Sequence, residues 1–294
     1  MTRSLAELER ETAARLAAAG VPSPDHDAIA LLALAMSAEP GAIRTAMARG
    51  DEVPSGFDDA AFEAIVARRL EREPLQHITG RAPFRNLDLE VGPGVFVPRP
   101  ETELVAQAAI DALERMGPGE LLAADLCSGS GAIALAVVTE TPARVWAVEL
   151  DTRAVPYLER NAAVLPADAQ ARLSILQGDG RTALADLDGT LDVVVSNPPY
   201  IPGDARPKDP EVELYDPQLS LYGLGPDGLE VPRGIMAAAA RLLRPGGVIV
   251  MEHGAPQAAA VRLELEKLGA FDSITTHTDL VGWDRFATAR RKAS

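Results

Sequence analysis

Asn197-Pro198-Pro199-Tyr200 brings together a side-chain amide, backbone carbonyls and an aromatic face in four consecutive residues. It follows Leu191-Asp192-Val193-Val194-Val195-Ser196, a short apolar run that reads as a buried strand. Two prolines after a strand enforce a stiff, extended turn with few free N–H donors. In an open α/β sheet, ligands bind outside the carboxyl ends of the strands. Such a turn suits a planar group that carries an NH₂. Carbonyl oxygens accept its two protons, and the ring covers one face.

A second segment, Asp125-Leu126-Cys127-Ser128-Gly129-Ser130-Gly131, joins an apolar strand to a helical pattern. Glycines let the backbone pass close to a ligand, and a helix N-terminus supplies N–H donors. The loop lacks the third glycine of a Gly-x-Gly-x-x-Gly and the lysine of a phosphate-binding loop, which argues against ATP. Glu149 ends the next strand, where an acid can accept from ribose hydroxyls. Asp179 follows the third strand, where it can accept from an adenine amine. In series these residues point to an adenosine-containing cofactor. The Asn-Pro-Pro-Tyr turn favours S-adenosylmethionine over NAD.

The elements that must position these residues alternate. Strands are expected at 121–126, 144–149, 173–177, 191–196 and 248–252, with helices at 132–138, 152–163, 235–243 and 257–268. Two closing strands end the chain near 274–276 and 285–289. This pattern implies a parallel, doubly wound sheet. Upstream, residues 1–74 read as a helical bundle. Ser4 and Glu7 have capping-box spacing, Asp25 and Asp58 are candidate N-caps, and Pro74 ends the last helix. Residues 83–97 alternate around Gly92-Pro93-Gly94, a hairpin signal, and Glu101 opens a helix through about Arg115. The Pro-, Gly- and Asp-rich stretch 201–231 has the length of a functional or disordered loop.

Composition narrows the partners. The 294 residues suffice for two domains. The net charge of −15 makes a poor generic binder of nucleic acid and suits a protein substrate. The single cysteine, Cys127, excludes an intrachain disulfide and any multi-cysteine zinc site, and no metal is expected. His26 and His77 stand alone and read as structural. Met1–Arg10 is charged and shows no secretory signal, and the apolar stretch 28–38 is too short to span a bilayer. A cytoplasmic protein is expected.

Four segments together resemble the HemK/PrmC family of release-factor glutamine methyltransferases. They are Val97-Pro98-Arg99-Pro100-Glu101-Thr102-Glu103, the 125–131 loop, Ser196-Asn197-Pro198-Pro199-Tyr200-Ile201, and Gly225-Pro226-Asp227-Gly228-Leu229. The similarity spans about residues 75–290. Asn-Pro-Pro-Tyr alone is shared with nucleic-acid methyltransferases, whereas the Pro-Arg-Pro-Glu-Thr-Glu run favours the release-factor branch. The resemblance implies an α/β fold, a seven-stranded class I (Rossmann-like) methyltransferase sheet with a small helical bundle and a linking β-hairpin. It implies a recruiting domain at 1–74, a linker at 75–98 and a catalytic domain at 99–294. It implies that Cys127, Ser128, Gly129, Ser130 and Gly131 cradle S-adenosylmethionine, with Phe96, Pro100 and Asn197 adding contacts. Glu149 would hold the ribose, and Asp179 and Gly180 would lie beside the adenine. Asn197, Pro198, Pro199 and Tyr200 would hold the substrate glutamine of a release factor's Gly-Gly-Gln loop. Four positions depart from the family pattern: Cys127 for a glycine, Glu149 for an aspartate, Asp216-Pro217 for Glu-Pro, and His253 for an apolar residue.

The chemistry explains these residue types. An amide nitrogen is a poor nucleophile, because its lone pair is delocalised into the carbonyl. If the Asn197 side-chain oxygen and the Pro198 carbonyl accept its two protons, the nitrogen faces the sulfonium methyl in line. Near-attack positioning of this kind can supply about 7–11 kcal/mol. Tyr200 would pack on the amide plane. Asn197, Pro198 and Tyr200 are therefore the candidate catalytic residues. A nucleic-acid adenine or guanine methyltransferase would use the same grip. It would call for a basic reading domain, yet residues 1–80 hold eight Lys and Arg against thirteen Asp and Glu. A cofactor-binding scaffold without turnover is a third class, opposed by the intact 197–200 turn. Neither nucleic acid nor membrane is expected as a partner, and a monomer is expected.

Overall fold

The computed structural model describes residues 3–293; Met1, Thr2 and Ser294, at the ends of the expected first and last domains, lie outside the described residues. In chain order the first helices are α1 (Leu5–Ala18), α2 (Pro24–Ala35), α3 (Pro40–Arg49), α4 (Asp59–Leu70) and α5 (Leu75–Thr79). The hairpin strands β1 (Arg81–Phe84) and β2 (Leu87–Glu90) follow, then α6 (Thr102–Arg115), β3 (Leu122–Leu126) and α7 (Ala132–Glu140). Next come β4 (Arg144–Glu149), α8 (Val155–Ala163), α9 (Ala167–Arg172), β5 (Leu173–Gln177) and β6 (Leu191–Ser196). Two short helices, α10 (Pro210–Tyr215) and α11 (Gln218–Leu221), occupy the long connection. The chain closes with α12 (Glu230–Leu242), β7 (Leu243–Glu252), α13 (Ala258–Lys267), β8 (Phe271–Thr278) and β9 (Asp284–Arg291).

The chain forms two compact units. One comprises Met1–Arg81 with Pro207–Tyr215, the other Ala82–Arg206 with Asp216–Ser294. In the first, the Ser4 and Glu7 side chains form the expected reciprocal capping box. Asp58 caps α4 through the N–H of Ala61. Asp25 does not cap α2: Pro24 occupies the first turn and Ser23 is the N-cap residue. Proline suits that position because its missing N–H is unpaired there anyway. The same device starts α3 at Pro40, a helix absent from the sequence reading. Leu8, Leu16, Leu31, Leu32, Phe62 and Val66 form the core of this unit. Among the described residues no single helix is long and apolar enough to cross a membrane, and the bent pair α2–α3 that meets the criterion buries Leu31, Leu32 and Ile43 in this core.

Within this unit, α10 is held to α4 and its C-terminal end by charge. Arg69 donates to Asp27 at 2.7 Å and to Glu211 at 3.0 Å, and Arg72 makes a two-point contact with Glu211. Tyr215 adds a hydroxyl bond to the Glu71 carbonyl. Thus part of the long connection 201–231 is ordered helix belonging to the helical unit.

The second unit is built on a seven-stranded sheet in the order β5-β4-β3-β6-β7-β9-β8. All pairs are parallel except those of β9, which runs antiparallel to β7 and β8. Successive residues of β3 enter different cores. Ala123 packs with residues of α6, α7 and α8, and Ala124 and Leu126 pack with α12 and α13. Both faces are therefore covered, and the inner strands are continuous apolar runs as a buried parallel sheet requires. The sheet extends further back than expected at β7, because the Arg244-Pro245-Gly246-Gly247 run stays in the strand across an irregularity in register. The hairpin also differs from expectation. Its turn is Arg85-Asn86, with Arg85 at φ 53, and Gly92-Pro93-Gly94 lies beyond β2 in a loop that carries no strand.

Candidate functional site

Strand order reverses between β3 and β6, the switch point at which ligands bind in this class of sheet. Ala123, Ala124 and Asp125 pair with Val193, Val194 and Val195. The Ser196 hydroxyl then donates to the Leu126 carbonyl, tying the two strand ends together. Cys127 and Asn197 therefore begin their loops side by side, 70 residues apart in sequence.

The loop after β3 is fixed from beneath. Asp125 is buried, and its Oδ2 accepts from Ala134 N in the first turn of α7 at 3.1 Å. Burial lifts the Asp125 carboxyl to about 7. Gly131 has φ 92, and a Cβ there would lie 2.5 Å from Leu158 Cδ1, so glycine is required. Cys127 has φ 77, a left-handed conformation that costs a residue with a Cβ about 1–2 kcal/mol. The departure from glycine at this position is therefore a strained one. Burial, with Glu149 and Asp125 nearby, pushes the Cys127 thiol up, which disfavours the thiolate a nucleophile needs.

Glu149 is 8% exposed and accepts from Gly129 N at 2.6 Å and from Asp151 N at 2.7 Å. Burial raises its carboxyl despite these bonds. Each oxygen keeps a lone pair, so the acid at the end of β4 retains acceptor capacity. Asp179 sits after β5, where its carboxylate is held by the Arg181 guanidinium at 2.6–3.0 Å, and that ion pair keeps it below the usual range. Gly180 lies against Leu126 and Ile235, next to the end of β3. Phe96 is half-buried under the Arg99 guanidinium, 5.0 Å from its ring centre, whereas Pro100 is exposed. Backbone donors, open space beside Gly129 and a buried carboxylate on the next strand suit an adenosine cofactor. S-adenosylmethionine fits this set of groups.

The Asn197–Tyr200 turn is braced on several sides. Gln257 donates from Nε2 to the Tyr200 carbonyl at 2.7 Å and to the Asp227 carbonyl at 2.9 Å. Ile201 bonds Leu221 and Gly223 through its backbone, closing the base of the long connection. Gly228, at φ 70, lies so close that a Cβ would meet the Tyr200 carbonyl at 2.4 Å. The Gly225-Pro226-Asp227-Gly228 segment is thus a backbone brace for the turn.

Behind the turn lies a chain of polar side chains. Asn197 Nδ2 reaches Thr102 Oγ1 at 3.4 Å, the Thr102 hydroxyl donates to Glu252 Oε2 at 2.8 Å, and the Tyr200 hydroxyl reaches Glu252 Oε1 at 3.4 Å. Thr102 and Glu252 are buried, and burial lifts the Glu252 carboxyl to about 7. His253 is fully buried, its Nδ1 is 3.0 Å from the Gly254 carbonyl, and burial lowers its pKa, so it is no exposed base. Asp216 pairs with Arg99 at 2.6 Å and is lifted by burial to about 6. Thr102, Glu252, Gln257 and Gly228 escaped the sequence reading as site residues. Thr102 lay inside the Pro-Arg-Pro-Glu-Thr-Glu run, the one signal that could have found it.

A family profile described as "PrmC N-terminal domain" matches residues 7–80, and one described as "Conserved hypothetical protein 95" matches residues 76–211. A release factor glutamine methyltransferase of Streptomyces coelicolor is 48% identical over 293 residues, covering 99% of both chains. The chain belongs to the HemK/PrmC family of release factor glutamine methyltransferases. A second such enzyme, from Bifidobacterium longum, is 43% identical over 97% of this chain and 99% of its own. A 4-amino-L-phenylalanine/4-methylamino-L-phenylalanine methyltransferase of Streptomyces pristinaespiralis is 40% identical over 88% of this chain and 86% of its own. In HemK/PrmC terms, the first profile covers α1 to α5, and the second runs from α5 through β1 to β6 and the Asn-Pro-Pro-Tyr turn.

Proposed function

We propose that this enzyme transfers a methyl group from S-adenosylmethionine to the side-chain amide nitrogen of the glutamine in the Gly-Gly-Gln loop of peptide chain release factors. The observation that carries this reading is the braced Asn197–Tyr200 turn beside the glycine loop, in a chain that matches release factor glutamine methyltransferases end to end. We place the enzyme in the cytoplasm, as a monomer acting on a protein and not on nucleic acid or membrane.

S-adenosylmethionine, when bound, would supply the electrophilic methyl group of its sulfonium, the C–S bonding pair staying with S-adenosylhomocysteine as the leaving group. The loop 127–131 and Glu149 hold the cofactor, with Phe96, Pro100, Asp179 and Gly180 around it. Asn197 Oδ1 and the Pro198 carbonyl accept the two amide protons and turn the nitrogen toward the methyl. As positive charge grows on nitrogen, these fixed dipoles stabilise it more than they stabilise the ground state. Pro199 stiffens the turn, and Tyr200 covers the amide plane and excludes water. The N-methylated amide then loses its proton to solvent, with no protein base. The bundle expected at 1–74 recruits the release factor.

The Streptomyces pristinaespiralis relative gives a second reading, methylation of an aromatic amine, which the same acceptors would hold. A radiolabelled transfer assay against purified release factor, 4-aminophenylalanine and RNA separates the two. Label in the release factor alone is the expected result. Label in the amine alone would replace the first reading with the second.

A further inference from the structure

An asparagine amide has nearly the same shape in either orientation, so its hydrogen-bond partners decide which end faces the substrate. If Asn197 is the amide grip of the proposed function, its oxygen must face outward, because a nitrogen there would repel the substrate NH₂. We propose that Thr102 and Glu252 are positioning residues that fix this orientation, and that Glu252 also anchors the tip of Tyr200. This inference rests on the proposed function above.

An ionised carboxylate only accepts hydrogen bonds, and a threonine hydroxyl has one proton to give. Glu252 has its carboxyl raised to about 7, and in its ionised form, above that value, Oε2, 2.8 Å from Thr102 Oγ1, takes that proton. The Thr102 oxygen is left with lone pairs alone, so the neighbour it meets must be a donor. That neighbour is Asn197, which presents Nδ2 at 3.4 Å and so turns Oδ1 away. Among the described residues Asn197 Oδ1 carries no hydrogen bond, which leaves it free for a ligand N–H. The other Glu252 oxygen, Oε1, faces the Tyr200 hydroxyl at 3.4 Å. One carboxylate thus orients both side chains of the grip.

Burial makes the arrangement selective. Glu252 is 1% exposed and Thr102 4%, so water does not offer the hydroxyl a substitute acceptor at low cost. The charged groups acting on Glu252 are Glu101, at the N-cap of α6, and Arg285 on β9, which oppose each other. Without the carboxylate, the Thr102 proton would turn toward Asn197 and draw Oδ1 inward. A chain of hydrogen bonds ending on a carboxylate also polarises Asn197, which strengthens Oδ1 as an acceptor while charge develops on the substrate nitrogen.

The test is a double-mutant cycle with whole release factor as substrate, preceded by wild type and Asn197→Ala. Thr102→Val keeps the shape and removes the acceptor. It should lower kcat by about 10-fold to 100-fold, less than the about 10²–10³ expected for losing an oriented dipole outright. KM and S-adenosylhomocysteine affinity should stay within about twofold, since the interaction acts on the transition state. Thr102→Ser should restore kcat. In the Asn197→Ala background, Thr102→Val should cost less than about twofold, because the residue it orients is gone. Glu252→Gln, which keeps the packing, gives a second arm with a smaller loss that shrinks in that background to the part acting through Tyr200. Equal losses in both backgrounds, or an unchanged kcat for Thr102→Val, would overturn the positioning role alone. A wild type inactive on release factor, or an Asn197→Ala variant as fast as wild type, would overturn the proposed function and this inference with it.

Discussion

Removing the Arg69 side-chain charge tests how the buried Asp27–Arg69–Glu211 cluster stabilises the helical unit. Arg69 is 6% exposed at its side chain, as is Asp27, and Glu211 is 13% exposed. In Arg69→Met, Glu211 keeps its two-point contact with Arg72. Asp27, by contrast, loses the only side-chain partner it has among the described residues. A buried charge stripped of its partner costs about 3–5 kcal/mol. The helical unit, Met1–Arg81 with Pro207–Tyr215, has about 90 residues. At roughly 0.05–0.15 kcal/mol per residue its stability is about 4–14 kcal/mol, so the loss is a large fraction of the whole. Urea unfolding followed by helical circular dichroism should show an early transition in the variant. Replacing both partners, as in Asp27→Leu with Arg69→Met, removes the orphaned charge and should recover most of the loss. If Arg69→Met unfolded at the wild-type midpoint, or if the double variant were no better than the single one, the buried Asp27–Arg69 pair would not stabilise the unit as argued.

Three further outcomes follow from the site. At Cys127, with φ 77, Gly should be more stable than Ala by about 0.5–1 kcal/mol, reversing the usual order, because the strain falls only on a residue with a Cβ; thermal melts of the two variants measure this. Glu149→Ala should weaken S-adenosylhomocysteine binding by about 10-fold to 100-fold in calorimetry, since charged hydrogen bonds contribute about 1.5–3 kcal/mol, while kcat at saturating cofactor changes little. Asp125 and Glu252 are raised to about 7 and Asp216 to about 6. A carboxyl with a raised folded value stabilises the protein while protonated and loses that contribution as pH climbs through the folded value. The melting temperature should therefore rise as pH falls from about 8 to about 6, with a shallower slope in Glu252→Gln. A melting temperature that fell over that window would contradict these burial effects.

Much of the sheet was legible because buried parallel strands are unbroken apolar runs. Arg144–Glu149, Leu173–Gln177 and Leu191–Ser196 stand where the sequence reading put them. No helix was expected over 40–49, although Pro40 stands at the first turn of α3, where proline is favourable. The hairpin turn at Arg85-Asn86 was missed because its left-handed residue is an arginine, which carries no turn signal, while Gly92-Pro93-Gly94 imitates one. In the site, loop and turn were visible as motifs, since each is contiguous. The Asn197–Thr102–Glu252 chain was not, because its members come from three elements and 150 residues separate Thr102 from Glu252. Gln257 was hidden likewise, since it acts through the backbone of a distant residue, whereas Gly228 stood in a quoted motif whose bracing role only the fold reveals.

The central claim is that Asn197 and its turn direct a methyl group onto one glutamine nitrogen of a release factor. The direct measurement is mass-spectrometric mapping of the methyl after reaction with purified release factor, for wild type and Asn197→Ala in parallel. Wild type should place one methyl on the side-chain nitrogen of the Gly-Gly-Gln glutamine, and Asn197→Ala should slow this by about 10²–10³ while still binding S-adenosylhomocysteine. A methyl found on any other residue, or an Asn197→Ala variant that labels the same glutamine at the wild-type rate, would contradict the account.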